Sequence, residues 1–332
     1  MTAAPALKQP IPPSVIERLQ QYLTTDLQSV NTEIIARMQS EVSLIPQMAA
    51  HLIAAGGKRL RPMLTLASAK LCQYKGQNHI TLAAAVEFIH TATLLHDDVV
   101  DDSKKRRGRD TANAVWGNKS SVLVGDFLFS RSFQLMVGAN SIEVLRILSN
   151  AAAIIAEGEV HQLLTANNLA TTEADYLRVI SAKTAALFAA ACEIGAVIAS
   201  RPAAEQEALY NYGLNLGLAF QISDDVYDFT GLPGKEAGDD FRDGKVTLPL
   251  ILSFAKSDEN EKQFWKRCIE QQDFTADDFK TALKILDKHD ALSKSLASAR
   301  HYARIAQDAL KTFPESPVKS AMLDLADYAA QR

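Results

Sequence analysis

The sequence predicts an all-α protein built as a single bundle of long helices. Apolar residues recur at helical spacing in long segments rich in Ala, Leu and Ile. No segment alternates apolar and polar residues as a half-buried strand would. The breaks between the segments are short, for example 138–141 and 200–203, and no linker separates two domains.

The chain is expected to consist of a short tail and one domain. Residues 1–14 hold four prolines and lack the apolar segment of a signal peptide, so we expect a flexible N-terminal tail. Residues 15–332 are expected to form one all-α domain. Because 47% of the chain is apolar, it can supply the large core that such a domain needs.

Charge and cysteine content exclude several classes of protein. Thirty-five basic and 39 acidic residues give a formal charge of −4, so no nucleic-acid partner is indicated. The three cysteines are far apart and form no CxxC pair, which argues against a thiolate metal site and a disulfide framework. A cytoplasmic location, where thiols stay reduced, is therefore expected.

Helical periodicity is strongest over five segments, which are 80–100, 122–137, 142–164, 174–199 and 205–229. The most apolar stretch, 185–199, contains Glu193 and is shorter than the roughly 20 residues needed to cross a bilayer, so a buried helix is expected. Segment 231–249 holds too many Gly and Pro residues for a helix and is expected to be an ordered or closing loop. The residues after about 257 are expected to complete the bundle.

Two aspartate clusters carry the strongest functional signal. Both match the pattern DDxxD, and their aspartates are Asp97, Asp98, Asp101, Asp224, Asp225 and Asp228. On a helix, positions i and i+4 share a face, so each cluster forms a patch of carboxylates. One such patch alone could be a solvated helix face, but two copies at the ends of apolar runs favour a shared cavity. Such patches suit Mg²⁺, which is held by a few carboxylates together with substrate phosphates.

Basic residues near the clusters indicate an anionic substrate, because diphosphates are bound by Lys and Arg. One group, GGKRLRP, contains Lys58, Arg59 and Arg61, and a second runs from Lys104 to Arg107 directly after the first cluster. Further donors near the second cluster are Lys183, Thr184, Gln221, Lys235 and Lys245. His90 and His96 lie on the helix before Asp97, and His90, two turns back on a similar face, is the preferred ligand contact.

Together these motifs resemble the trans-isoprenyl diphosphate synthases, most closely the long-chain octaprenyl, solanesyl and decaprenyl diphosphate synthases. The likeness extends from about 53 to 249, through GGKRLRP, EFIHTATLLHDDVVDDSKKRRG, VLVGDFLFSR, EGEV, KTAALF, FQISDDVYDF and GKEAGDDFRDGKVTLPL. The resemblance implies the isoprenoid synthase type I helical bundle around a central cavity. It also implies a homodimer.

The resemblance assigns roles to individual residues. Mg²⁺ ions that bridge an allylic diphosphate, farnesyl or geranyl diphosphate, would be bound by Asp97, Asp98, Asp101, Asp224, Asp225 and Asp228. The same diphosphate would be held by Arg106, Lys183, Thr184, Gln221, Lys235 and Lys245, with Lys183 and Lys235 also serving catalysis. Isopentenyl diphosphate would be held by Lys58, Arg61, His90 and Arg107. Arg59 is left open, and Asp102 receives no role.

The implied reaction is the repeated head-to-tail addition of isopentenyl diphosphate to an allylic diphosphate. The implied base is the departing pyrophosphate. Terpene cyclases and head-to-head synthases also use aspartate-rich motifs, but GGKRLRP and the RRG cluster argue against both. A partner subunit without activity is a third alternative, opposed by the presence of every acidic and basic residue of the pattern.

Product length depends on the helix before the first cluster, because the growing chain would run beneath the diphosphate. Each isoprene unit spans about one helical turn, roughly 5 Å, so Ala92 and Thr93 would meet the first added units. Both side chains are small, whereas Phe88 would close the tunnel early if it faced the chain. The family resemblance favours an all-trans product of about C40 to C50 for a quinone side chain, with a short-chain C15 to C20 product as the alternative. Release of such a product would involve a transient contact with a membrane.

Overall fold

The structure, a computed structural model, describes residues 14–54, 57–106, 108–231 and 237–331. Within these ranges it contains seventeen α-helices, and the expected all-α fold is confirmed. Their bounds are α1 Val15–Tyr22, α2 Thr24–Arg37, α3 Leu44–Ala54, α4 Leu60–Leu71, α5 Asn78–Val100, α6 Ala112–Trp116, α7 Asn118–Gly138, α8 Ile142–Thr165, α9 Glu173–Ile180, α10 Ala186–Ile198, α11 Ala203–Thr230, α12 Asp239–Arg242, α13 Leu248–Phe254, α14 Glu259–Trp265, α15 Asp278–Lys288, α16 Ala291–Ala309 and α17 Pro317–Ala329.

The five periodic segments of the sequence correspond to the long helices α5, α7, α8, α9 with α10, and α11. The predicted tail falls almost entirely on residues 1–13, which lie outside the described residues. Its last residue, Ser14, caps α1 in a capping box with Glu17. This reciprocal pair satisfies backbone N–H groups that a helix start leaves without partners.

Helices α9 and α10 are continuous through one π-helical turn, Ser181–Ala185. A π turn inserts an extra residue into an α-helix and often marks a functional site, because it turns side chains away from the regular helical faces. Here the turn carries Lys183 and Thr184. Periodicity alone predicted one unbroken helix over this segment.

Small residues let the central helices approach closely. A Cβ atom at Gly213 of α11 would lie 2.4 Å from the carbonyl oxygen of Phe188 on α10, and one at Gly217 would lie 2.6 Å from Cα of Ala185. Neither position has room for a side chain. This contact brings the π turn next to the part of α11 that holds the second aspartate cluster.

The described part of the chain contains one helix, Glu173–Ile198, that by length and composition could cross a membrane. Of its most apolar window, 72% is buried inside the protein. The helix packs against α4, α8 and α11, as a helix of the core does. Its burial agrees with the interpretation of segment 185–199 as a buried helix.

Two features differ from the expectation for the region around the clusters. A two-residue antiparallel ladder pairs Lys105 with Asp110 and Arg106 with Arg109, directly after the first cluster, and is too short to give an alternating pattern. The expected loop 231–249 contains α12, and its last two residues belong to α13. Pro249 fits the first turn of a helix because the missing N–H is not needed there.

The C-terminal third completes the bundle as expected. Helix α16 packs along α11, and α17 packs against α1 and α16. A second apolar cluster, with the buried rings of Phe241 and Trp265 at its centre, joins the segment after α11 to helices α13 to α16.

Candidate active site

A cavity of about 770 Å³ opens among α4, α5, α8, α10 and α11. Its wall brings together charged side chains from distant parts of the chain. The cations that line it are Lys58, Arg59, Arg61, Arg106, Lys183 and Lys245. The carboxylates that line it are Glu87, Asp97, Asp98, Asp101, Asp110, Glu159 and Asp224.

The first aspartate cluster ends α5 at the cavity. Asp97 and Asp101, one helical turn apart, both line it. Asp98 is 4% exposed, and one of its oxygens accepts hydrogen bonds from Arg106 Nε and Nη2 at 2.9 and 2.6 Å. Asp98, which also lines the cavity, therefore orients Arg106.

The second cluster lies on α11. Asp224 lines the cavity. Asp225 is buried and accepts hydrogen bonds from the Tyr176 hydroxyl at 2.6 Å and from Gln221 Nε2 at 2.8 Å. Asp228 is also buried and accepts a bond from the backbone N–H of Asp240 at 2.9 Å. Asp225 and Asp228 thus have hydrogen-bond partners inside the protein. The binding of metal by all six aspartates stays a prediction.

Asp97 and Asp101 from α5 and Asp224 from α11 line the cavity and can contribute oxygen ligands to a cation bound there. Burial raises the pKa of Asp97 to about 7, which Lys183 partly offsets. A carboxylate so placed is stabilised in its charged form by a bound cation. In the described ranges no three His, Cys, Asp or Glu side chains by themselves form a metal-binding group. The donors therefore suit a hard cation whose remaining ligands come from water and substrate oxygens.

Lys183 extends from the π turn into this acidic region. Its Nζ donates to Glu159 of α8 at 2.7 Å and lies 3.8 Å from an oxygen of Asp97. Glu159 belongs to the EGEV motif, to which the sequence interpretation gave no role. The ion pair holds the Lys183 ammonium beside the carboxylates, where an incoming diphosphate can reach it.

A short chain of hydrogen bonds joins the π turn to the second cluster. The Thr184 hydroxyl donates to Gln221 Oε1 at 2.8 Å, and the Gln221 amide in turn donates to Asp225. Because Thr184 uses its only proton on Gln221, its oxygen presents lone pairs to other groups. Both side chains line the cavity and can offer oxygen atoms to a positively charged group.

The other side of the cavity holds the cations of the GGKRLRP segment. Arg61 Nη1 lies 3.0 Å from His90 Nε2, and its guanidinium stacks 4.7 Å above the ring of Phe188. Lys58 Nζ donates to the hydroxyl of Tyr328 on α17 at 3.0 Å. Tyr328 lies 270 residues from Lys58, so no local sequence signal could have linked them.

His90 lines the cavity as preferred, whereas His96 does not. His96 faces α7, where its Nε2 lies 3.2 Å from the carbonyl oxygen of Val122. Lys245 lines the cavity beside Asp240, at 3.4 Å, and Asp243, at 3.3 Å.

Three other residues named from the sequence are Arg107, Lys235 and Asp102. Arg107 and Lys235 are outside the described residues, so their assigned roles stay predictions. Asp102 is exposed and forms an ion pair with Lys104 at 2.6 Å, away from the cavity lining. Its position after the end of α5 explains why this fourth carboxylate does not join the patch.

Of the three residues proposed to set product length, Thr93 and Phe88 line the cavity. Ala92 is fully buried in the core and is not among the lining residues. On a helix, Ala92 lies about 140° around the axis from Asp97, whereas Thr93 lies only about 40° from it. Thr93 is therefore the small side chain beneath the first cluster, and Phe88 bounds the cavity about one and a half turns further back along α5.

A family model described as polyprenyl synthetase matches residues 42–286. The chain belongs to this family. It is 42% identical over 320 residues to the octaprenyl diphosphate synthase of Haemophilus influenzae, covering 96% of this chain and 97% of that protein. Both the helical fold and the motifs that carry the resemblance therefore agree with the family.

Solved structures of polyprenyl synthases superpose closely on this chain. A decaprenyl diphosphate synthase from Rhodobacter capsulatus has a TM-score of 0.93 and 53% identity, covering 95% of this chain and 98% of that chain. A polyprenyl synthase from Caulobacter crescentus, complexed with calcium and isoprenyl diphosphate, has a TM-score of 0.93 and 51% identity, covering 97% of this chain and 99% of that chain.

Proposed function

We infer that this chain is a prenyltransferase, an all-trans polyprenyl diphosphate synthase that makes a long-chain product. The observation that carries this function is the cavity in which Asp97 and Asp101 of α5 share a wall with Asp224 of α11, with cations on either side. Two groups of cations are needed because the reaction joins two anionic diphosphates.

The allylic diphosphate, farnesyl or geranyl diphosphate, is proposed to bind beside the aspartates. Arg106, Lys183 and Lys245 line this part of the cavity and can donate to its oxygens. Mg²⁺ held by Asp97, Asp101 and Asp224 would neutralise the charge of the departing pyrophosphate. Asp98 supports the same site by holding the Arg106 guanidinium through two N–H groups.

The C–O bond of the allylic diphosphate breaks with both electrons leaving on the pyrophosphate. The allylic cation left behind lies where Thr184 and Gln221 present oxygen atoms rather than donors. Phe188 and Phe220 line the same part of the cavity and reduce the access of water to the cation.

Isopentenyl diphosphate is proposed to bind at Lys58, Arg61 and His90, which line the same cavity as the aspartates. Its double bond supplies the electron pair of the new C–C bond, and the proton lost from the adjacent carbon goes to the released pyrophosphate. The ion pair of Lys183 with Glu159 keeps the ammonium beside that pyrophosphate. The lengthened allylic diphosphate then serves as substrate for the next addition.

We propose a product of about C40 to C50, a quinone side-chain precursor that forms in the cytoplasm and leaves through a transient contact with a membrane. Thr93 supports a long product, because a small side chain lies directly beneath the first cluster on the cavity wall. Phe88 lines the same cavity, so a long product requires that the growing chain pass beside its ring. The relatives named for octaprenyl and decaprenyl products support the same range.

Substrate-selective kinetics test the division of the cavity into two diphosphate sites. Arg106→Ala is expected to raise the KM for farnesyl diphosphate about tenfold, whereas Lys58→Ala is expected to raise the KM for isopentenyl diphosphate by a similar factor. Each KM is measured with the other substrate saturating. Equal effects of both variants on both substrates would contradict separate sites.

We also propose that the enzyme is a homodimer whose interface includes α7 and α8. Six large apolar side chains on these neighbouring helices are 61% to 82% exposed, an unusual concentration for a surface. They are Leu123, Val137, Ile142, Val160, Leu163 and Leu164.

Leu164→Glu is expected to shift the protein from dimer to monomer, because it would bury a charge in that interface. Val42→Glu, at an exposed position outside these helices, is the matched control and should leave the dimer intact. Light scattering on a size-exclusion column gives the molar mass. A wild-type monomer, or a Leu164→Glu dimer, would contradict the proposed interface.

A further inference from the structure

The three cations of the GGKRLRP segment have different partners in the protein. Lys58 contacts Tyr328 of α17, and Arg61 contacts His90 of α5 and Phe188 of α10. Arg59, between them, forms an ion pair with Glu87 of α5. The middle cation of the segment is thus already engaged by a carboxylate of the protein.

Glu87 is an unusual residue for its position. It lies within α5 among apolar neighbours, and its side chain is only 11% exposed. A buried carboxylate is costly unless it is paired, and Arg59 supplies the opposite charge. Since Glu87 precedes His90 by one helical turn, the pair attaches the segment to the helix that carries both His90 and Asp97.

The backbone of Arg59 is also unusual. It has φ 51° and ψ 34°, the left-handed conformation, at the residue that precedes the first turn of α4. Residues other than glycine adopt this conformation at a cost and keep it only where the surroundings hold it. The left-handed turn directs the side chains of Lys58 and Arg61, on either side of it, to separate partners.

We propose that Arg59 and Glu87 position the isopentenyl diphosphate site, and that Arg59 is an anchor rather than a ligand of the diphosphate. The ion pair holds the left-handed turn against α5 and thereby fixes Lys58 and Arg61 relative to His90. This inference rests on the proposed assignment of Lys58, Arg61 and His90 to isopentenyl diphosphate.

The two possible roles of Arg59, anchor or ligand of the diphosphate, predict different effects of Glu87→Gln on the binding of isopentenyl diphosphate. If Arg59 were a ligand, Glu87→Gln would free its guanidinium and remove a carboxylate that repels the diphosphate, so binding would improve or stay unchanged. If Arg59 is an anchor, Glu87→Gln and Arg59→Gln break the same contact. Each should raise the KM for isopentenyl diphosphate about tenfold, because small displacements of binding groups carry large penalties.

The test measures both KM values and kcat for Glu87→Gln, Arg59→Gln, the double variant and Arg59→Lys, which keeps the ion pair. We expect equal increases in the KM for isopentenyl diphosphate in the two single variants and no further increase in the double variant. Arg59→Lys should stay close to wild type, and the KM for farnesyl diphosphate should not change. Arg201→Gln, which breaks an exposed ion pair with Glu205 far along the chain, is the matched control.

Three results would contradict the proposal that Arg59 is an anchor. They are an unchanged or lower KM for isopentenyl diphosphate in Glu87→Gln, additive effects in the double variant, and equal increases for both substrates with a lowered melting temperature. Lys58→Ala separates this inference from the proposed function. If Lys58→Ala raises the KM for isopentenyl diphosphate and Glu87→Gln does not, the anchoring role of Arg59 is wrong but the assignment of the isopentenyl diphosphate site is kept. If Lys58→Ala has no effect on this KM, the site assignment itself is wrong.

Discussion

Asp97→Asn and Asp224→Asn are each expected to lower kcat about a thousandfold while the protein stays folded. Each change removes a carboxylate from the part of the cavity where negative charge develops on the departing pyrophosphate. Metal-assisted stabilisation of such charge contributes several kcal/mol, and every 1.4 kcal/mol corresponds to about a factor of ten in rate. Initial rates at saturating substrates give kcat, and circular dichroism shows whether the helices persist.

Asp102→Asn is the matched control, because Asp102 belongs to the same run of aspartates but is exposed and paired with Lys104. It should keep activity within about a factor of two, as expected of a surface substitution. Near-normal kcat in Asp97→Asn or Asp224→Asn would exclude that carboxylate from the metal site. A loss of kcat in Asp102→Asn as large as in Asp97→Asn would show that activity depends on the total charge of the four aspartates and not on the position of each carboxylate.

Thr93→Phe is expected to shorten the product to C20 or less while the first condensation continues. Thr93 lines the cavity one helical turn beneath Asp97, so a ring there would meet the first or second added isoprene unit. The aspartates and basic residues proposed to bind the two diphosphates are unchanged in this variant. Products are dephosphorylated and separated by reversed-phase chromatography, which resolves chain lengths one isoprene unit apart.

Thr93→Val is the control for that experiment, because it keeps the size and branching of threonine and should leave the product long. An unchanged product distribution in Thr93→Phe would mean that the growing chain does not pass this side of α5. The chain would then run nearer to Ala92, on the buried side of the same helix.

Much of the site could be predicted because its central residues lie on long helices with strong periodicity. The i and i+4 spacing placed Asp97 over Asp101, and both lie in the cavity. The same spacing could not show that Asp98 and Asp225 turn towards Arg106 and Tyr176. A neighbouring residue on a helix lies about 100° around the axis, and what it meets there depends on which helices pack alongside.

The residues that sequence reasoning missed are single side chains that act through distant partners. Glu87, Glu159 and Tyr328 belong to no motif that the sequence analysis assigned a role. Each is identified only in the structure, by its contact with a lysine or arginine of the site. The π turn that presents Lys183 is likewise invisible to periodicity, because one inserted residue does not interrupt an apolar pattern.

The central claim is tested most directly by incubating the purified protein with farnesyl diphosphate, radiolabelled isopentenyl diphosphate and Mg²⁺, then measuring the label in dephosphorylated products by reversed-phase chromatography. A parallel reaction contains a chelator in place of Mg²⁺. We predict incorporation only with Mg²⁺ and a main product of about C40 to C50. No incorporation by the folded protein, or a main product of C20 or shorter, would contradict the assignment of a long-chain polyprenyl diphosphate synthase.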